Sequence, residues 1–296
     1  MPPPDERNAL HRLVDLATGK PGHAVLEPVI TKAILHYDML HALSKARLLD
    51  GLTFQGGTAL RLCHGGQRLS EDLDFAGGSD FDGSRLDAVV TTLERHVGAR
   101  YGLDVRVKAP RVRDMSDGVE VRRWTLSIDT DPGRPDLPRQ RVKLEIANVP
   151  AHDGVPMAVR AHYSGLPDGY DGMLIVTESA REIASDKVVS LIATVERLPR
   201  YRDLWDLTHL AERGAEADPD LVRLKVSDYG AGDFEKRHAT LIERLPELVR
   251  DHKFAVQMRR FLPADVHDAT FERPDALERI ERAVRAQVDA GMASPR

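Results

Sequence analysis

The sequence predicts an α+β chain in two lobes, a mixed-sheet lobe over about residues 1–175 and a helical lobe over 176–296. Three observations carry that expectation. Runs of alternating apolar and polar residues rich in β-formers, LDVRVKA, VEVRRWTLSID and QRVKLEIANV, crowd the middle of the chain. Beyond Thr177 nearly every segment, from SAREIASDKVVSLIATVERL to ALERIERAVRAQV, repeats its apolar residues at helical spacing. With 296 residues, 42% hydrophobic and 30% charged, the chain can bury a sizeable core without disulfide or metal staples.

Taken in order, LEPVITKAILHYDMLHALSKARLL reads as a long helix with Pro28 in its first turn and Gly51 at its end. TFQGGTALRLCHGGQRLSEDLDF alternates short apolar runs with glycine pairs, which predicts strand, turn, helix, turn and strand in close order. SRLDAVVTTLERHVGARY has a helical period, with Ser84 placed to cap it. The three alternating runs follow as sheet strands. From Ala151 to Gly172 the chain reads as loop, and the lobe boundary falls between about 170 and 178. No internal repeat is visible.

Composition excludes several classes. Cys63 is the only cysteine, so neither an intrachain disulfide nor a paired-cysteine zinc motif can form. A reducing cytoplasm fits that usage. No run of eighteen apolar residues occurs, and MPPPDERNAL lacks the succession of a signal peptide, so neither membrane spanning nor secretion is expected. The P-loop, GxSxG and HExxH patterns are missing, and His36 and His41 are spaced wrongly to share a helix face as metal ligands. Net charge is -5, yet Arg106, Lys108, Arg111, Arg113, Arg122, Arg123, Arg134, Arg139, Arg141 and Lys143 crowd one stretch. That stretch could receive phosphates, although each residue alone reads as a solvated strand position.

The sharpest feature is Gly56-Gly57-Thr58 followed by Glu71-Asp72-Leu73-Asp74-Phe75. On a strand, residues two apart share a face, so Asp72 and Asp74 would stand side by side while Leu73 and Phe75 enter the core. Paired carboxylates on rigid backbone suit Mg²⁺, with Mn²⁺ able to take its place, because such an ion keeps positions for phosphate oxygens of a nucleoside triphosphate. Glycines without Cβ atoms let backbone N–H groups approach phosphate, and a helix starting near Thr58 would point its positive end there. Either half alone is common; their ordered conjunction is what points to a phosphate and metal site. A third carboxylate comes from Glu145, which shares a strand face with Lys143, and Asp129 is the competitor, set beside a turn-rich loop. Lys187, Asp203 and Asp206, judged by spacing alone, read as solvated helical charges.

GGTAL, then Arg68, Ser70, Asp72, Leu73, Asp74 and Phe75 in Arg-x-Ser-x-Asp-Leu-Asp-Phe, resembles the AbiEii/AbiGii nucleotidyltransferase-toxin family, which includes the mycobacterial MenT toxins. The resemblance extends to Lys187 in IASDKVVSL and to Arg202-Asp203-Leu204-Trp205-Asp206-Leu207, covering roughly Phe54 to Leu207. It implies a polymerase-β-like nucleotidyltransferase lobe with a helical lobe closing over the triphosphate. It makes Asp72 and Asp74 metal ligands, Lys187 a triphosphate contact and Asp203 a functional carboxylate at the lobe interface. It further implies transfer of a nucleotide to the 3′ end of tRNA, a block on translation, and a separately encoded antitoxin as partner, in the manner of a type IV toxin–antitoxin system. Gln55 departs from the basic residue of many relatives, and Pro199 interrupts the helix before the Arg-Asp motif. Two rival readings remain: a non-catalytic nucleotide- or antitoxin-binding module, and transfer to a small molecule or a protein hydroxyl.

Overall fold

The computed structural model describes residues 9–19, 24–81, 83–110, 112–114, 119–131, 136 and 138–294. In chain order the elements are α1 (Ala9–Thr18), α2 (Glu27–Lys45), β1 (Thr53–Gln55), α3 (Gly56–Leu62), β2 (Leu73–Ala76), α4 (Val89–Tyr101), β3 (Val105–Lys108) and β4 (Val112–Asp114). Then come β5 (Glu120–Ile128), β6 (Gln140–Ala147), β7 (Gly154–Ala158), β8 (Leu174–Glu178), α5 (Ala180–Ala193), α6 (Tyr201–Glu212) and α7 (Pro219–Asp228). The chain closes with α8 (Phe234–Arg250), α9 (His252–Met258), α10 (Ala264–Phe271) and α11 (Ala276–Gly291).

The architecture is α+β, as the alternating and helical runs predict. Among the described residues eight strands form one mixed sheet in the order β3-β5-β6-β2-β1-β8-β7, with β4 also paired to β5. The β2–β6 and β1–β8 pairs are parallel and the others antiparallel. Register decides which side chains meet. Leu73 lies opposite Leu144, Asp74 opposite Glu145 and Phe75 opposite Ile146. Because successive strand residues alternate faces, Leu73, Phe75, Leu144 and Ile146 enter one core while Asp74 and Glu145 share the other face.

The apolar face is covered by α2 and α4. Nearly every residue of α2 from Ile30 to Leu43 is buried, the pattern of a helix enclosed by sheet and neighbouring helices. Pro28 sits in its first turn, as expected, but the helix stops at Lys45 and Arg47 turns with a positive φ before Gly51 is reached. Ser84 opens a short 3-10 turn rather than capping α4, which begins at Val89. Besides the short β4, two strands emerge where none is legible. β7 carries Pro156 on an edge, where a missing N–H is tolerated, and β8 is a five-residue run that abuts a helix.

The helical lobe is built around α5. Ser179 caps it, its hydroxyl accepting from the Glu182 N–H at 3.1 Å. Lys225 of α7, fully buried, reaches Glu178 at 2.6 Å and Glu182 at 2.9 Å, which ties α7 to the end of the sheet. Among the described residues, the first core runs to Ile175, whereas the second spans Ile183 to Val288 and takes Leu60 of α3 from the N-terminal half. No helix among the described residues is long and apolar enough to cross a membrane.

Candidate active site

The site starts where β1 passes into α3. Gly56 has φ +77°, and a Cβ there would lie 3.0 Å from the Asp74 Oδ2. At Gly57 a Cβ would collide with the Arg68 guanidinium and stand 3.1 Å from the Ser70 Oγ. Both glycines are therefore required by close approach of backbone to side chains, and they leave their peptide groups bordering the cleft. Thr58 has a different part: its hydroxyl donates to the Asp72 carbonyl at 2.5 Å, so the residue fastens the approach to β2 onto α3 from within the core.

Asp74 stands between Gln55 of β1 and Glu145 of β6 by strand register. Asp72, two residues earlier, sends its Oδ2 to the Lys143 Nζ at 3.2 Å, and Glu145 is held by the Arg123 guanidinium. Burial, then the negative charges of Glu145 and Asp72, push the Asp74 carboxyl up to about 7. A hard-oxygen donor set that holds a proton unless a cation arrives fits Mg²⁺. Among the described residues no three His, Cys, Asp or Glu side chains already converge as a metal cage, since Lys143 and Arg123 engage the outer two carboxylates. Asp129 follows the end of β5 and faces Arg139 at 3.9 Å, so the carboxylate beside Asp74 is Glu145.

The raised value sets an expected pH dependence. Asp titrates at 3.8 when unperturbed and at about 7 here, so this group's stability is fully present below about pH 4 and is lost as pH rises to 7. In chelator, Asp74→Asn should gain on the wild type across that window by on the order of 4 kcal/mol, then hold a constant lead. Urea midpoints at pH 4, 7 and 8 check this, and a difference independent of pH would contradict the perturbation.

Across the cleft lies a buried chain of charges. Arg68 donates to Asp206 in a fork, at 2.9 and 2.7 Å, and Lys187 reaches Asp206 at 2.7 Å and Asp203 at 3.1 Å. Arg200 closes on the second oxygen of Asp203. Burial opposes every one of these charges and their mutual attraction outweighs it: the Asp203 and Asp206 carboxyls are lowered, Lys187 and Arg68 raised. Spacing alone reads Lys187, Asp203 and Asp206 as solvated, and the structure corrects that, with relative exposures of 6%, 3% and 1%. Arg68 and Asp206 are the members that the site reasoning leaves out. Spacing carries no signal for either, since they lie 138 residues apart and only the fold brings them together.

Two adjoining cavities meet at Asp74. The smaller, about 250 Å³, is lined by Gly56, Gly57, Asp72, Lys187, Arg202 and Asp203 among others; the larger, about 560 Å³, by Glu145, Val121, Val189, Tyr229, Arg197 and Arg237 among others. Gln55, Asp74 and Arg200 border both.

Part of the basic central stretch is engaged by acids within the protein. Arg106 and Arg139 pair with Asp104, Arg123 with Glu145, and the Arg122 side chain lies against Gly83. Arg111 and Arg134, with the Arg113 side chain, lie outside the described residues. His36 is structural, bonded to the Glu71 carbonyl at 3.1 Å with its pKa lowered to about 4 by burial. Cys63 is a buried free thiol, pushed up to about 12 by burial.

A mixed sheet that sets Asp74 and Glu145 on adjacent parallel strands beside a glycine turn, faced by a helical lobe, is a nucleotidyltransferase fold. The profile described as nucleotidyl transferase AbiEii toxin, type IV toxin–antitoxin system, matches residues 38–286, and the chain belongs to that family. Among solved structures, MenT4, a nucleotidyltransferase toxin from Mycobacterium tuberculosis, is similar with a TM-score of 0.52 at 22% identity, over 97% of this chain and 90% of that one. JHP933 from Helicobacter pylori is similar at 0.51 and 18%, over 88% of this chain and 93% of that one. Both likenesses are of fold. Curated protein sequences give no match to the chain.

Proposed function

We propose that this toxin-family chain is a Mg²⁺-dependent nucleotidyltransferase that moves a nucleotide from an NTP to the 3′ end of tRNA and thereby stops translation. The observation that carries this reading is Asp74, placed at the meeting of the two cavities with Gly56 on one side and Glu145 on the other. The triphosphate lies in the smaller cavity, against the Gly56-Gly57 backbone, with Lys187, Arg200 and Arg202 supplying positive charge. Lys187 acts there as part of a fixed array, since Asp203 and Asp206 hold its position. The acceptor hydroxyl enters from the larger cavity, near Glu145. Its oxygen forms the new bond to the α-phosphorus, the bond to the β-phosphate breaks and pyrophosphate leaves, while Glu145, steadied by Arg123, orients the hydroxyl and takes its proton. Asp72, Asp74 and Glu145 would hold Mg²⁺ or Mn²⁺, which when bound neutralises charge on the phosphates and acidifies the hydroxyl.

RNA would approach along the helical lobe, because Arg197, Arg200 and Arg202 are exposed at the mouths of the cavities. The same reading divides the chain into a nucleotidyltransferase lobe at 1–175 and a helical lobe at 176–296. It places the protein in the cytoplasm with a cognate antitoxin, as the type IV family description suggests. The test is incubation of purified protein with each radiolabelled NTP, Mg²⁺ and total tRNA. Label on the tRNA 3′ end is expected; label on protein or small molecules alone would move the acceptor to another class.

A further inference from the structure

Gln55 is the last residue of β1 and the N-cap of α3, yet its side chain makes no capping hydrogen bond. Phe54 before it turns into the core and stacks on Phe75 at 4.9 Å, so Gln55 must face the cleft with Asp74, its register partner. There its Oε1 is buried without a hydrogen-bond partner, and the residue borders both cavities. A buried amide oxygen left unsatisfied is unfavourable, and this one borders two cavities from which a partner could reach it.

The chemistry of the missing partner is restricted. Phosphate oxygens only accept, and Asp74 only accepts once a cation has displaced its proton, so in the loaded site neither the triphosphate nor Asp74 satisfies an amide oxygen. The only donors a nucleotide can offer are on its nucleoside. A triphosphate seated on Gly56-Gly57 puts the sugar next along the molecule, at the boundary that Gln55 occupies. A hydroxyl both donates and accepts, so it serves the carboxamide in either orientation, whereas a base N–H serves only one. We infer that Gln55 hydrogen-bonds a ribose hydroxyl of the incoming nucleotide and discriminates against analogues that lack it. The inference rests on the proposed use of an NTP and adds a sugar-reading residue to it.

Binding in the absence of acceptor separates the two. Calorimetry with the tightest-binding NTP, its 2′-deoxy and its 3′-deoxy analogue is run on the wild type and on Gln55→Met, which keeps length and removes the amide. One deoxy analogue should bind the wild type on the order of tenfold more weakly than the NTP, and Gln55→Met should bring that ratio close to one by weakening the NTP. Thermal melting of the variant is the folding control, and Gln55→Leu replaces it if Met fails to fold. A wild type that binds NTP without preferring either hydroxyl, or a preference retained in the variant, overturns the role of Gln55 while NTP use stands. A change in base preference at constant sugar ratio overturns it as well. Absence of NTP binding in the wild type removes both readings together.

Discussion

Asp72→Asn and Asp74→Asn should each lower nucleotide transfer by at least roughly 10²–10³-fold in a protein that stays folded, because each removes a charge aimed at the reacting phosphates. The two substitutions differ in what they leave behind. Asp72 pairs with Lys143, which is partly exposed and can return to water, so its loss should hardly move stability. Asp74 has no comparable ion pair among the described residues and is crowded by Glu145, Asp72 and the Gly56 backbone. Its neutralisation relieves repulsion, so the metal-free variant should melt no lower than the wild type above pH 7. Asn is the better probe than Ala, because the side chain fills the space beneath Gly56. Transfer assays with labelled NTP and melting curves in chelator give the two readouts, and wild-type turnover in either variant would remove these carboxylates from the chemistry.

The largest effect on stability should come from Asp206→Ala. Three cations, Arg68, Lys187 and Arg200, share two acids, Asp203 and Asp206, and removing Asp206 leaves the fork of Arg68 without its carboxylate and Lys187 with one acid. Breaking a buried pair in this way typically destabilises by about 3–5 kcal/mol. Lys187→Ala removes two ion pairs from the same cluster, yet it leaves Arg68 with Asp206 and Arg200 with Asp203, a balanced set. Its stability loss should be clearly smaller, while NTP binding weakens. Denaturant midpoints on the two variants decide the matter: equal losses would mean that the number of ion pairs, not charge balance, governs the seam.

Much of this was legible before any coordinates. The alternation of Leu73, Phe75, Leu144 and Ile146 dictates which face Asp74 and Glu145 must share, and the glycine pair marks where backbone comes close. Lys187, Asp203 and Asp206 were not legible from spacing, because a periodic pattern says which helix face is apolar but not that a second lobe will bury the polar one. The family resemblance marked Lys187 and Asp203, and only the packing of Arg68 against Asp206, 138 residues apart, explains why they stay charged. β7 escaped because its Pro156 contradicts a strand everywhere except at an edge, and sequence does not announce edges. Along the basic central stretch, charge density in sequence is partly offset in space, since Arg123 meets Glu145 on the neighbouring strand and Arg106 and Arg139 both meet Asp104.

One short helix belongs to both halves of the molecule. Leu60 of α3 packs into the helical core, whereas Cys63, at the end of the same helix, is sealed in the sheet core. Cys63 is also the chain's sole thiol. A thiol reagent in native buffer is therefore a stopwatch on this junction, because each molecule can be marked once and only while α3 has let go. The ratio of that marking rate to the rate in the unfolded chain reads out the fraction of time the junction stands open, with no engineered label and no background from other cysteines.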